Sequence, residues 1–232
     1  MAAERLPLST VLPRAWIGFC SGPWPCVGLT ALALASAAGL GLLAQELQAN
    51  SNSWVRHGGD AVWLLSFVVP LLPLLALLRL ADNLLPGSPP QARERLPWLL
   101  RQSLALVAIE TLILLGGITT LRGLFNLLIN HSGVLAAFST VLGSGALLAW
   151  TLSQLLALPL LIHHGHRPLA AMEHSRTLIK HNRAKVLALV GLLLGLNLLG
   201  LMGACLGLLL SLPFSALILM ASCRTHAPWS RD

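Results

Sequence analysis

The sequence predicts an all-α polytopic membrane protein: six transmembrane helices, with a cytoplasmic interfacial amphipathic helix between the fourth and the fifth. Three observations predict this fold class. Of the 232 residues, 56% are hydrophobic and only 10% are charged, whereas a soluble domain carries about 25% charged residues. Six apolar runs approach the roughly 20 residues that a span needs. The basic residues fall in alternate segments between those runs.

The six predicted spans divide the chain into three parts. Residues 1–23 form a cytoplasmic N-terminal segment, residues 24–222 the transmembrane domain, and residues 223–232 a cytoplasmic tail. The predicted spans cover residues 24–44, 61–80, 98–121, 134–162, 186–200 and 204–222. We expect the first span to be a retained helix rather than a cleaved signal peptide, because more than twenty residues precede it and its apolar run continues to Ala44.

The last two spans come from one nearly uncharged block between Lys185 and Arg224. As a single helix this block would be roughly 55 Å long, far more than the ~30 Å core of a bilayer. We therefore expect the chain to turn back near Leu199–Ala204.

The distribution of lysine and arginine predicts the orientation. With six spans, thirteen of these fifteen residues fall on one side of the membrane and only Arg56 and Arg122 on the other. Because cytoplasmic segments carry the excess of positive charge, both termini are expected in the cytoplasm, and the protein in a bacterial inner membrane. No aromatic-basic patch accompanies the net charge of +7, so nucleic acid is not an expected partner.

The segment from residue 167 to residue 182 predicts a helix lying on the cytoplasmic membrane surface. Pro168 suits a first helical position, and a narrow apolar stripe steps by three, three and four residues through Leu169, Met172, Ser175 and Ile179. Cations beside such a stripe are typical of interfacial helices. The residues expected to face lipid headgroups are Arg167, Arg176, Lys180, Arg183 and Lys185.

Five of the eight histidines lie in or next to this segment, which raises the question of a metal. Only His163 and His166 have the spacing of ligands on one helical turn, and Gly165 interrupts a helix there. His163, His164 and His166 are the residues that a metal would use. We nevertheless expect a basic surface with no metal and no cofactor.

The expected polar site inside the membrane combines Glu110, Asn197 and Ser215, which lie at similar depths in their spans. Glu110 is the only acidic residue deep within a predicted span, and an ionisable group at that depth is a functional candidate. Three interpretations stay open for it: a protonated hydrogen bond between helices, a proton- or ion-linked site, and partial exposure to water.

Glycine pairs mark close contacts between helices. Gly191 and Gly195, and likewise Gly203 and Gly207, are four residues apart, a spacing that lets backbones approach. The contacts can lie within the chain, or with a membrane-protein partner or a second copy. Catalytic motifs are missing, since the sequence has no HExxH, no GxSxG and no phosphate-binding glycine loop.

A pattern in the C-terminal third of the chain falls on Pro159–Leu160, Pro168, Ala171, Ser175, Asn182, Gly207 and Pro213. In this pattern the chain resembles several bacterial integral-membrane families whose function is not known. It is also similar to the membrane domain that precedes some glycerophosphodiester phosphodiesterases. The aromatic residue usual after the last helix is absent, and so is the catalytic domain of those enzymes. The resemblance implies a six-helix bundle with a cytoplasmic elbow and implies no chemistry.

The expected role is that of a non-enzymatic integral membrane protein that interacts with lipids or scaffolds membrane partners. The alternative is a small proton- or ion-coupled transporter or channel that uses Glu110. A metalloenzyme built on the histidines near residue 163 is the third interpretation.

Overall fold

The computed structural model describes residues 8–50, 52–85, 96–203 and 206–224, and within these ranges the chain is helical without strands. The all-α prediction is confirmed for this part of the chain. The helices are α1 (Leu8–Ser21), α2 (Pro23–Gln48), α3 (Ser53–Val68), α4 (Leu71–Leu84), α5 (Leu96–Ile129), α6 (Gly133–Ser153), α7 (Ala157–His164), α8 (Pro168–His181), α9 (Arg183–Met202) and α10 (Leu208–Arg224).

Several predictions concern residues outside these ranges. They are the first seven residues of the N-terminal segment, the loop between the second and third spans over residues 86–95, the first two residues of the sixth predicted span, and the tail after Arg224.

Five helical stretches are long and apolar enough to cross a membrane, as judged by length and composition in the described residues. They are Pro23–Gln48, Ser53–Leu84, Pro97–Ile129, Gly133–His164 and Arg183–Met202. Each contains one of the first five predicted spans, and α10 is a shorter apolar helix of 17 residues.

Two of these stretches contain a break. The first separates α3 from α4 at Pro70, whose ring cannot donate a backbone hydrogen bond and clashes with the preceding turn. The second separates α6 from α7 over residues 154–156. Pro159 follows this break and cannot donate to the carbonyl of Leu155 four residues earlier. Proline thus accounts for both breaks.

The long helices carry apolar side chains on the outside of the bundle. Leu112 is 74% exposed, Val141 70% and Leu194 66%. Large exposed apolar surfaces are uncommon on soluble monomers, whereas lipid tails cover such surfaces at no cost. The exposure therefore agrees with a membrane-embedded protein.

Helices α4, α7 and α10 pack together in the core, where their side chains Leu77, Leu161 and Leu217 are at most 2% exposed. Helix α1, which the sequence analysis did not predict, packs on α10 and α4. Its Val11 and Ala15 are fully buried. Helix α1 therefore belongs to the bundle.

Helices α9 and α10 form the hairpin that the uncharged block predicts. Helix α9 ends at Met202 and α10 begins at Leu208. They touch where Gly200 meets Gly207, because a Cβ on Gly207 would lie 2.5 Å from the carbonyl oxygen of Gly200 and 2.7 Å from its Cα. The turn thus falls a few residues after the predicted one.

Candidate functional site

A groove with a basic rim lies where α6, α8 and the start of α9 meet. Its cavity has a volume of about 770 Å³, within the range of about 300–1,000 Å³ typical of ligand sites. Three cations line it, Arg176 and Lys180 from α8 and Arg183 from α9. We call this cavity, with the apolar wall described next, the basic groove.

The lining of the cavity also includes an apolar wall. It is formed by Ala149 and Leu152 of α6 and by Val186 and Leu187 of α9. Ile179, the hydroxyls of Ser153 and Thr177 and the carboxylate of Glu173 complete the lining. With three cations and one acid, the groove keeps a net positive charge and can take an anionic group joined to an apolar chain.

Helix α8 is fixed to the break in the α6–α7 stretch. The hydroxyl of Ser175 donates a hydrogen bond of 2.8 Å to the carbonyl oxygen of Ser153. Ala171, Met172 and Ile179 on the same face are buried. The predicted apolar stripe therefore packs mostly against the protein, except that Leu169 is 68% exposed.

A buried ionic cluster joins the ends of α4, α7 and α10. The Nδ1 of His163 donates to the carboxylate of Asp82, at 2.9 Å from Oδ1 and 3.2 Å from Oδ2. The Nε of Arg224 lies 3.6 Å from the same Oδ1. The Asp82 side chain is 1% exposed and the Arg224 side chain 8%. We call these three residues the inner ionic cluster.

The inner ionic cluster also caps the C-terminal end of α4. The Nη1 of Arg224 donates to the carbonyl oxygens of Asp82, at 2.9 Å, and Leu85, at 2.7 Å. Carbonyls at the end of a helix lack hydrogen-bond donors within that helix. The Arg224 guanidinium donates hydrogen bonds to these carbonyls, and its charge neutralises the Asp82 carboxylate.

The histidines gather beside this cluster. The ring centroid of His164 lies 4.7 Å from that of His163, 5.2 Å from that of His166 and 6.0 Å from that of His174. In the part of the chain that the structure describes, no three His, Cys, Asp or Glu side chains form a group that could hold a metal ion. His163 instead pairs with Asp82.

Of the three residues expected to form a site inside the membrane, the structure brings two together. The Nδ2 of Asn197 donates to Ser215 Oγ at 3.1 Å, and the hydroxyl of Ser211 donates to Asn197 Oδ1 at 3.0 Å. These bonds join α9 to α10. Glu110 is not among these partners.

Glu110 lines a separate cavity of about 230 Å³ between α5 and the α6–α7 break. Trp150, Thr151 and Gln154 line it as well, together with leucines. Gln154 is 7% exposed, and neither its Oε1 nor Trp150 Nε1 has a hydrogen-bond partner among the described residues. The residues that line the cavity thus include one carboxyl, one amide and one indole.

The glycine pairs differ in their surroundings. Gly207 packs on Gly200, and a Cβ on Gly203 would lie 3.5 Å from the nearest atom of the same hairpin. Nothing in the described chain lies within 4 Å of a Cβ placed on Gly191 or Gly195. Gly203 and Gly207 therefore lie in the α9–α10 hairpin, whereas Gly191 and Gly195 lie on an outer face of α9.

Among the residues that matter to this geometry, Asp82 and Gln154 were not singled out in the sequence. A signal for Asp82 exists, because an acidic residue at the end of the second span and Arg224 at the end of the last share one side in the predicted topology.

The chain matches no family model, no curated protein and no solved structure.

Proposed function

We propose that this chain is a non-enzymatic integral membrane protein of a bacterial inner membrane and that it binds anionic lipid in the basic groove. The observation that carries the proposal is the joint lining of one cavity by three cations and an apolar wall. A phospholipid has the same division, with an anionic phosphate attached to apolar chains. The lack of catalytic motifs in the sequence supports a role other than catalysis.

The groove needs to lie where headgroups lie, and the chain path supports this position. Helix α8 follows the apolar stretch that ends at His164 and precedes the one that begins at Arg183. Both neighbours of α8 in sequence thus reach the same end of the bundle. We place α8 at the cytoplasmic membrane surface, as the elbow between the fourth and fifth spans.

The inner ionic cluster supports six spans with both termini in the cytoplasm. Asp82, His163 and Arg224 lie at the ends of the second, fourth and sixth predicted spans and are in contact. Spans that alternate in direction bring these three ends to one side of a membrane. We therefore include α10 as the sixth span.

The cations determine which lipids the groove prefers. Arginine offers paired N–H donors that match phosphate oxygens, and lysine adds a point charge. A basic residue near an anionic membrane surface contributes about 1 kcal/mol. Headgroups with net negative charge are therefore preferred over zwitterionic ones, because the groove cations repel the positively charged amine of a zwitterionic headgroup.

The test measures lipid retention by native mass spectrometry in detergent that contains phosphatidylglycerol or phosphatidylcholine. The double variant Arg176→Ala/Lys180→Ala is compared with Arg56→Ala/Arg122→Ala, which also removes two exposed cations, outside the groove. The groove variant is expected to weaken phosphatidylglycerol binding by about 2 kcal/mol, roughly 30-fold, and the control to leave it unchanged. Equal losses in both variants, or equal retention of the two lipids by the unmodified protein, would contradict the proposal.

Scaffolding of a membrane partner, formation of homo-oligomers through Gly191 and Gly195, and the relationship to bacterial membrane families stay predictions. The outer face that carries these two glycines is compatible with such a contact.

A further inference from the structure

Beyond lipid binding, we propose that the Glu110 cavity binds a monovalent cation, either a metal cation such as Na⁺ or a proton. No residue lines both this cavity and the basic groove, although neighbouring residues of the same turn of α6 line each of them. The proposal rests on the position of the carboxyl, on the chemistry of its neighbours and on the size of the cavity.

Glu110 lies well inside its apolar stretch, Pro97–Ile129. Thirteen residues separate it from Pro97, where its apolar stretch begins, which corresponds to about 20 Å along the helix. The carboxyl thus lies inside the apolar stretch, at the level of Trp150 and Gln154, on the same turn of α6 that lines the basic groove. A bare carboxylate among apolar side chains is costly, so its charge has to be neutralised.

No side chain among the described residues of the cavity carries a positive charge that would neutralise the Glu110 carboxylate. The described residues that line the cavity are Glu110, Leu114, Trp150, Thr151, Gln154, Leu155 and Leu158. None of them is basic, and Glu110 is the only one with a titratable side chain. The described lining therefore supplies no cation of its own, and we infer that the neutralising cation enters from outside the protein.

Two further residues with side-chain oxygen atoms, Thr151 and Gln154, line the same cavity. Gln154 Oε1 is buried and lacks a hydrogen-bond partner among the described residues. The hydroxyl of Thr151 donates its proton to the carbonyl oxygen of Leu147 at 3.0 Å, which leaves lone pairs on Oγ1. Carboxylate, amide and hydroxyl oxygens are ligands that hard cations prefer.

The cavity is large enough for a hydrated cation. At about 230 Å³, and with roughly 30 Å³ per water, it has room for several water molecules beside a cation. Trp150 Nε1 has no protein acceptor in the described part of the chain and can donate to such a water or to the carboxylate. A proton is the other candidate occupant, because protonation neutralises the carboxyl and gives it an O–H donor in a cavity that Gln154 and Trp150 also line.

The test compares the unmodified protein with Glu110→Gln and with the matched control Glu46→Gln, which changes an exposed acid on α2. All three are purified in uncharged detergent with zwitterionic lipid, so the basic groove does not influence the result. Thermal unfolding midpoints are measured in NaCl, KCl and choline chloride at equal concentration and pH. Infrared spectra in choline chloride then report the C=O band of protonated carboxyl groups.

A metal cation as occupant predicts a midpoint that rises by roughly 3–5 °C per tenfold increase in NaCl or KCl above the dissociation constant. Choline gives no rise, and the effect is lost in Glu110→Gln and kept in Glu46→Gln. Gln154→Leu, which removes the amide oxygen, weakens it. A proton as occupant predicts no difference between salts and a protonated-carboxyl band that is missing only from Glu110→Gln.

Either result supports the site and identifies its occupant. The proposal is overturned if the unmodified protein and Glu110→Gln respond alike to all three salts and their infrared spectra show no band assignable to Glu110. Because the lipid experiments leave Glu110 unchanged, failure here is distinguishable from failure of the lipid proposal.

Discussion

At the scale of single residues, the most connected side chain in this structure is Asp82. Its carboxylate accepts from His163 and lies beside the Arg224 guanidinium, and all three side chains are buried. Desolvated charges lose the hydration that an exposed pair keeps, so each partner depends on the others. Removal of one charge leaves the remainder buried without compensation.

We therefore expect Asp82→Asn to lower the free energy of unfolding by about 3–5 kcal/mol. Asp60→Asn makes the same chemical change at a side chain that is 62% exposed, and its expected effect is below about 0.5 kcal/mol. Denaturant unfolding in detergent, followed by circular dichroism, measures both variants. Similar losses in the two would show that the cluster does not stabilise the bundle.

The predicted topology puts Asp82 and Arg224 on one side, but it does not show that they meet, because the contacts of the cluster join residues far apart in the chain. The bonds from Arg224 to Asp82 span 142 residues, and no local pattern reports which span ends meet. The sequence analysis used Arg224 only as a positive flank and considered His163 only for a metal. In the bundle, the depth of a residue and its direction around the helix axis together decide its partners.

At the scale of helices, the α9–α10 hairpin shows how much depth alone predicts. Asn197 and Ser215 were expected at similar depth, and they are hydrogen-bonded. Glu110 was expected with them and lies instead in a different cavity. Each residue turns the helix by about 100°, since a turn contains 3.6 residues, and counting from a span end does not give that angle.

The glycine contact in the hairpin predicts a second variant. Gly207→Ala is expected to destabilise the protein by about 1–3 kcal/mol, because the added Cβ meets the backbone of Gly200, which has no flexible side chain to move aside. Gly191→Ala is the matched control, since its Cβ meets no atom of the described chain within 4 Å. Thermal unfolding in detergent measures both.

For Gly191→Ala we expect no loss, and a small gain because alanine favours helix. A loss in the control as large as in Gly207→Ala would indicate that the outer face of α9 is covered, as in an oligomer. No loss in Gly207→Ala would contradict the close approach of α9 and α10.

Helix α8 shows where local pattern and packing diverge. The stripe through Met172, Ser175 and Ile179 was expected to face lipid and is buried against the protein. Apolar periodicity indicates that one face of a helix is covered but not what covers it. The bond from Ser175 to the Ser153 carbonyl depends on the helix break at residue 154, which the sequence analysis did not predict.

At the scale of the whole molecule, the composition and the apolar runs sufficed to predict an all-α chain with membrane-length helices. The orientation rests on the positive charge between the spans. If the charge rule holds, a fluorescent protein fused after the final residue matures in the cytoplasm and fluoresces. Alkaline phosphatase at that position stays inactive, whereas a fusion after Asn50, in the outer loop, is active.

Activity of the phosphatase at the C-terminal position as well as after Asn50 would place the two ends of the chain on opposite sides. It would remove α10 from the set of spans and would separate the inner ionic cluster from the cytoplasmic surface.

The central claim is that anionic lipid occupies the basic groove, and photo-crosslinking tests it most directly. The protein is placed in vesicles that contain phosphatidylglycerol with a diazirine in its acyl chain, irradiated, and mapped by peptide mass spectrometry. We expect crosslinks at the apolar wall, at Ala149, Leu152 and Leu187. They should fall sharply in Arg176→Ala/Lys180→Ala, hold in Arg56→Ala/Arg122→Ala, and weaken when phosphatidylcholine carries the diazirine. Crosslinks spread evenly over the outer faces of the helices, independent of headgroup and of the groove cations, would contradict the claim.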